Sequence, residues 1–299
     1  MKKIAYIELD THAEIALNFM ELMNDSKVFS VDYYFSEKIL RFFGYTQNDK
    51  LPENIKKATP ENLIQQLSTD NYQLIIIGTV HRNFNVFEKI AEKFNTSIIC
   101  HNLNFVKASN FNLLISIFKE DFKYRLKLLL KEGLLRKSYV YKKAKNLLVL
   151  DENLAKENYN NLPIFYTKFF DKPDNETFTI VIPGAVSQKR RNYDKIIKEL
   201  SISTSLNVTK FEIIFLGKAQ GKELEMLQNF EQNKPENISI KYFTEKVPQN
   251  IFNDYMQKAN ILWCPIQQET EFFSQKEIYG ITKMSGNIGD AIKFGKLAI

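Results

Sequence analysis

The stretch PGAVSQKRRNYDKII, Pro183 to Ile197, sets three consecutive cations, Lys189, Arg190 and Arg191, just before a segment of helical periodicity. The apolar run FTIVI precedes it and reads as a buried strand, so Gly184 turns the chain at the strand's end. A helix starting near Asn192 presents free N–H groups and the positive end of its dipole beside those side chains. The combination suits a diphosphate; the plainer alternative is a solvated helix start with no ligand. Gly217 and Lys218 end a second apolar run, EIIFLGK, where the lysine could reach a phosphate. Lys283, Ser285, Gly286 and Asp290 fall in KMSGNIGDAIKFGKLAI at the end of the chain. Gly286 and Gly289 permit conformations that a side chain forbids. Lys283 is a further cation for a phosphate. Asp290, at or near a helix start, either caps that helix or takes the hydroxyls of a ligand.

The three histidines, His12, His81 and His101, all follow apolar runs. At a strand end an imidazole can donate a hydrogen bond or move a proton near neutral pH; it can equally be an ordinary polar contact. His101 is the first candidate and His81 the second. Three histidines and two cysteines, Cys100 and Cys264, give no zinc spacing, and the cysteines read as buried thiols of a reduced, cytoplasmic chain. No metal or cofactor is called for.

The formal net charge of +6 suits a nucleic-acid binder, a protein at an anionic membrane or an enzyme with a phosphorylated substrate. No nucleic-acid module is recognisable, so no nucleic-acid partner is expected. No run of apolar residues is long enough to span a bilayer, and acidic residues interrupt the start MKKIAYIELDTHAEI, which reads as a first strand. The stretch from Phe118 to Lys145 reads as a long basic helical region whose leucines either face an anionic membrane surface or cover the sheet.

These residues need a scaffold, and the apolar pattern supplies one. Short runs such as KIAYIEL, FSVDYYF, YQLIIIGT and TSIICHNLNF read as strands and alternate with amphipathic stretches such as HAEIALNFMELMND and FNVFEKIAEKFN. The rhythm repeats after FFDKPDNETF, with strands TFTIVIPG, KFEIIFLGK, NISIKYF and NILWCPI. The pattern predicts an α/β protein of two doubly wound, Rossmann-like domains, 1–172 and 173–299, with a cleft between them. Ligands of such sheets bind beyond the carboxyl ends of the strands, where the candidate residues fall.

The second half resembles the donor-nucleotide domain of GT-B glycosyltransferases, above all the retaining family 4 enzymes and their bacterial relatives. IPGAVSQKRRNYDKII resembles that family's strand, glycine loop and basic helix start; FEIIFLGK its next strand; VPQNIFNDYMQKANILWCPI the segment before its acidic motif; and GDAIKFGKLAI the end of that motif. The match is strongest from about Phe178 onward, and AKNLLVLDENLAKENY resembles the approach to the domain linker. The resemblance implies a metal-independent hexosyltransferase that moves a sugar from a nucleotide-diphosphate donor to a saccharide or lipid-linked acceptor. That would serve cell-surface polysaccharide synthesis, in the cytoplasm or at the inner membrane surface. It makes Glu277, in Glu277-Ile278-Tyr279-Gly280, the carboxylate on the donor sugar and Asp290 that on the ribose, with five extra residues between the pair. Gly184, Lys189, Arg190, Arg191, Gly217, Lys218, Lys283, Ser285 and Gly286 would hold the nucleotide diphosphate. Where the family has a glycine-rich loop after its first strand, this chain has LDTHAEIA. Relatives often carry a histidine near His81 or His101 that meets sugar or acceptor. In the family a closing helix follows, so Ile299 is expected to mark a shortened second domain. The alternative is a non-catalytic GT-B-like protein that binds a nucleotide or a partner.

Overall fold

A computed structural model describes residues 1–156, 158–170, 173–174, 176–202 and 210–299. The chain divides into two compact units, Met1–Ile164 with Glu271–Met284, and Phe165–Thr270 with Ser285–Ile299. The polar stretch taken as the domain boundary includes residues 171, 172 and 175, which lie outside the described residues.

In the first unit seven strands form one sheet: β1 (Lys2–Glu8), β2 (Phe29–Phe35), β3 (Ile55–Lys57), β4 (Leu74–Ile77), β5 (Thr96–Ile99), β6 (Asn146–Val149) and β7 (Asn160–Asn161). Their order is β3-β2-β1-β4-β5-β6-β7 and every pairing is parallel. Helices cover both faces: β4 reads as the unbroken apolar run LIII, and β5, TSII, is buried along its whole length although it begins with Thr96 and Ser97. Ile75, Ile77, Phe84, Phe87, Ile90 and Ile98 form the heart of the core, each buried side chain contributing about 1.5–3 kcal/mol. The strand order reverses between β1 and β4, which opens the crevice where α/β sheets take ligands.

The second unit holds β8 (Phe178–Pro183), β9 (Phe211–Lys218), β10 (Ile238–Phe243), β11 (Ile261–Leu262) and β14 (Leu297–Ala298); between β11 and β14 the chain forms a two-stranded sheet of β12 (Glu269–Phe272) and β13 (Gln275–Ile278), of which Glu271 onward belongs to the first unit. The five-stranded sheet runs β10-β9-β8-β11-β14, again all parallel, and reverses between β8 and β11. Successive residues of β9 go to opposite cores: Ile213 and Phe215 join one cluster, Ile214 and Leu216 the other. That is the two-residue period of a strand buried on both faces.

Three elements differ from the reading of the sequence. TSIICHNLNF is a strand only to Ile99; a helix, Leu103–Lys107, follows. The basic stretch is not one helix but Phe122–Lys131 and Lys137–Lys143, with a 3₁₀ turn between them. Gly133, at φ +72°, adopts the left-handed conformation that ends the first of them. The loop before Gly280 contains the β12–β13 pair, turning at Phe273 and Ser274, both at positive φ. Such a turn usually carries Asn-Gly. Here buried Arg125 stacks on Phe273 at 4.6 Å and donates to Ser274 Oγ at 2.7 Å. The cysteines also differ: Cys100 is buried, whereas Cys264 is only half-buried.

Candidate functional site

The loop after β8 follows from its glycines. Gly184 has φ +96°, and a Cβ there would lie 2.6 Å from Arg191 Nη2. Gly217, in β9, lets that loop pack on the strand: a Cβ at 217 would fall 2.3 Å from the Gly184 carbonyl oxygen. The Arg191 guanidinium lies across Gly184, donating from Nη1 to Ala185 O at 3.2 Å and from Nη2 to Asn287 Oδ1 at 3.0 Å. Asn287 in turn donates to Pro183 O at 3.3 Å. Arg191 Nε and the Tyr193 hydroxyl are both buried, and the two side chains interact with each other. Burial pushes the Tyr193 pKa up to about 12, with Arg191 opposing the rise. Backbone bonds from Asn192 N to Pro265 O and from Gln267 N to Arg190 O tie this loop to the one after β11 across the switch point.

The expected free N–H groups at the following helix, Tyr193–Ile202, are not free. Gln188 Oε1 accepts from Tyr193 N and Asp194 N, and Asn192 Oδ1 from Lys195 N. The cations therefore stand beside a capped helix start. Lys189 and Arg190 are exposed, as is Lys218 at the end of β9. The helix Gly286–Phe294 is likewise capped by Ser285, whose Oγ accepts from Asn287 N at 3.2 Å. Asp290 sits a turn inside that helix instead of at its start. Gly295, five residues on, is the left-handed residue that ends it. Gly286 is open, with nothing within 4 Å of a Cβ position.

The switch point of the first unit is built from other chemistry. Glu8, the last residue of β1, is fully buried. Its Oε1 accepts from Asp10 N at 2.8 Å and Thr11 N at 3.3 Å, and Oε2 from the Thr79 hydroxyl at 2.6 Å. The protein's own carboxylate thus fills the place that an anion takes on a glycine-rich loop. Burial raises the Glu8 pKa, with those hydrogen bonds and His12 opposing. Only glycine fits at 78, where a Cβ would lie 2.7 Å from both Glu8 Oε2 and the Tyr6 hydroxyl.

All three histidines meet above this carboxylate. His12 and His101 stack with ring centroids 3.8 Å apart, and His81 stands edge-on to both at 6.0 Å. His101 Nε2 is 2.7 Å from Gly78 O and so carries the proton, which leaves Nδ1 as an acceptor. Lys283 Nζ donates to Asn102 Oδ1 at 2.6 Å, so the Asn102 amide faces His81 Nε2, at 3.4 Å, as donor. Burial first, then neighbouring charge from His12 and Lys283, lowers the pKa of both His81 and His101. These are neutral imidazoles at pH 7.

Glu277 belongs to the first unit and is fully buried. Its Oε1 accepts from Phe105 N at 2.8 Å and its Oε2 from Asn104 N at 3.3 Å. In this geometry it is a positioning group that fixes the turn after His101, and its oxygens are turned away from solvent. The second unit therefore gathers Gly184, Lys189, Arg190, Arg191, Gly217, Lys218, Ser285, Gly286 and Asp290. The first holds His81, His101, Lys283 and Glu277. The sequence reading passed over Glu8, Asn102, Gln188 and Asn287. Each is a polar residue whose partner is remote in sequence or a backbone group, and no motif signals that.

The class defined by fold and site is a protein of two Rossmann-like domains, the GT-B class of fold, with a cationic switch point in one and an imidazole-lined switch point in the other. Among solved structures, an alpha-glucosyltransferase in complex with UDP and a 13-mer DNA matches with a TM-score of 0.51 and 9% identity, over 88% of this chain and 71% of that one. UDP-GlcNAc 2-epimerase from Methanocaldococcus jannaschii matches at 0.49 and 9%, over 88% and 78%. MurG of Acinetobacter baumannii matches at 0.43 and 10%, over 88% and 71%. The likeness is one of fold alone, and the last two scores add nothing to it. No protein-family model and no curated protein matches the sequence.

Proposed function

We propose that this chain is a glycosyltransferase that moves a sugar from a nucleotide-diphosphate donor to a saccharide or lipid-linked acceptor, as in cell-surface polysaccharide synthesis. The observation that supports it best is Arg191: a guanidinium laid over Gly184 at a switch point, beside the exposed cations Lys189 and Arg190. A diphosphate would sit at this loop, with Lys189, Arg190 and Lys218 at the rim neutralising its charge. The alpha-glucosyltransferase of similar fold holds UDP, so uridine is the first base to test.

In this reading the bond from sugar carbon to diphosphate oxygen breaks and a bond to the acceptor oxygen forms. The acceptor's proton passes to the leaving diphosphate. The chain's work is to orient the partners and stabilise charge. His101 Nδ1 accepts a sugar hydroxyl, and the reading draws on no metal or cofactor. A lipid-linked acceptor is favoured by Phe111, Phe118 and Phe122, all exposed, alongside Lys119 and Lys123. No helix of the described residues is long and apolar enough to cross a membrane, so that contact would be peripheral, at the cytoplasmic face. A second reading, a nucleotide-binding protein without catalysis, is favoured by the burial of Glu277.

Thermal denaturation with UDP, GDP and their sugars tests the assignment. A diphosphate-dependent rise in Tm that shrinks in a Lys189→Ala/Arg190→Ala variant supports it, and no rise with any nucleotide sinks it. Release of sugar from the donor separates the enzyme from the binder.

A further inference from the structure

The first unit contains a cavity of about 890 Å³ lined, among the described residues, by Lys107, Lys142, Lys145 and Tyr159 and by no carboxylate. No histidine among the described residues lines it. Lys145 N bonds Thr96 O at the amino end of β5, whereas His101 follows that strand's carboxyl end. Its walls are held by buried bonds. Lys137, fully buried, donates to Phe105 O, Val106 O and Ala108 O at 2.6, 2.9 and 2.7 Å. That fixes the turn from which Val106 to Asn110 line the space. Tyr141, in the opposite wall, donates to Val80 O at 3.1 Å.

The lining chemistry selects a ligand. Lys107 lies 5.9 Å from the centre of the Tyr159 ring, and neither Lys142 nor Lys145 makes an ion pair among the described residues. Lysines bind phosphate as point charges. An aromatic ring beside the amides of Asn146, Asn158 and Asn160 suits a polyhydroxylated body. The volume falls within the range of small-molecule sites, about 300–1,000 Å³.

We propose that this cavity binds a phosphate-bearing polyol, either a soluble sugar phosphate or the phosphoglycerol headgroup of a lipid. The site is independent of the nucleotide reading, since it shares no residue with either switch point. Isothermal titration with glucose 1-phosphate, glucose and inorganic phosphate tests it on the whole chain. Glucose 1-phosphate should bind more tightly than phosphate, and glucose should give no heat. A Lys142→Ala/Lys145→Ala variant should weaken glucose 1-phosphate at least about tenfold, whereas Lys189→Ala/Arg190→Ala should leave it unchanged. Both pairs are exposed, so both variants should fold. Equal affinity in wild type and the Lys142/Lys145 variant overturns the proposal, as does no binding at about 20 mM. Competition by phosphatidylglycerol vesicles, but not phosphatidylcholine vesicles, identifies a lipid source; no competition identifies a soluble one. Either result is read only on a site that the lysine variant has already shown.

Discussion

The two sheets share one strand order around their switch points and put opposite chemistry there. In the second unit the loop after the first strand is opened by Gly184 and spanned by Arg191, with Lys189 and Arg190 in solvent. In the first unit the equivalent loop is closed by a carboxylate of the chain itself, Glu8, and roofed by three imidazoles. One arrangement attracts an anion. The other has already satisfied its anion-binding groups with Glu8 and offers the hydrogen bonds of His81 and His101, both neutral at pH 7. The fold sets where a ligand goes, and a few side chains at the strand ends set what kind of ligand it is.

Breaking the loop of the second unit should give the largest effect. Gly217→Ala drives a Cβ onto the Gly184 carbonyl, backbone against backbone, with no flexible side chain to yield. Equilibrium denaturation should show a loss of about 3 kcal/mol, the upper end for overpacking. A loss under about 0.5 kcal/mol would mean that the loop does not rest on Gly217.

Next in size is Glu277→Ala, which leaves the N–H groups of Asn104 and Phe105 buried without an acceptor. The expected loss is about 2–3 kcal/mol, and Glu277→Gln, which keeps one acceptor oxygen, should recover part of it. If Glu277 instead touches the donor sugar, turnover would fall with stability unchanged. The variant thus separates a positioning role from a catalytic one.

The same residue shows where the sequence was legible and where it was not. β2 begins and ends where FSVDYYF does, and β9 can be read off EIIFLGK. Buried parallel strands announce themselves as continuous apolar runs, so the two Rossmann-like domains follow from local pattern. Glu277 could not be placed that way. Its partners are more than 170 positions away, and the hairpin carrying it turns at Phe273-Ser274 without the usual Asn-Gly. Charge and position make Lys283 a further cation for a phosphate, and nothing in the sequence signals that its ammonium bonds Asn102. Composition and spacing give charge; they do not give the partner that uses it.

A smaller effect should appear in the pH dependence of stability, and it sharpens the contrast between the two sites. His81 and His101 have folded-state pKa values below the ordinary 6.5. Below pH 6.5 the unfolded chain therefore binds protons that the folded one refuses. Stability should fall as pH drops below 6.5 and be flat with respect to these groups above it, with a slope of at most about 1.4 kcal/mol per pH unit for each imidazole. His101→Asn should flatten that limb. Glu8 acts in the opposite sense: its raised pKa costs stability as pH rises from 4.5 toward the folded value, and Glu8→Gln removes that cost. A limb unchanged in His101→Asn would mean that the imidazole is solvated and charged.

The smallest effect on stability, and the most telling for function, belongs to Lys189→Ala/Arg190→Ala. Both side chains are exposed and the helix start behind them is capped by Gln188 and Asn192, so folding should not change. Their charge matters only to something that arrives from solvent. If a nucleoside diphosphate is that ligand, its affinity should fall about tenfold or more, and the loss should shrink as salt is raised. His101→Asn, at the uncharged switch point, should leave diphosphate binding intact while lowering turnover. If both variants weakened the diphosphate equally, the division of labour between a charged and a neutral switch point would be wrong.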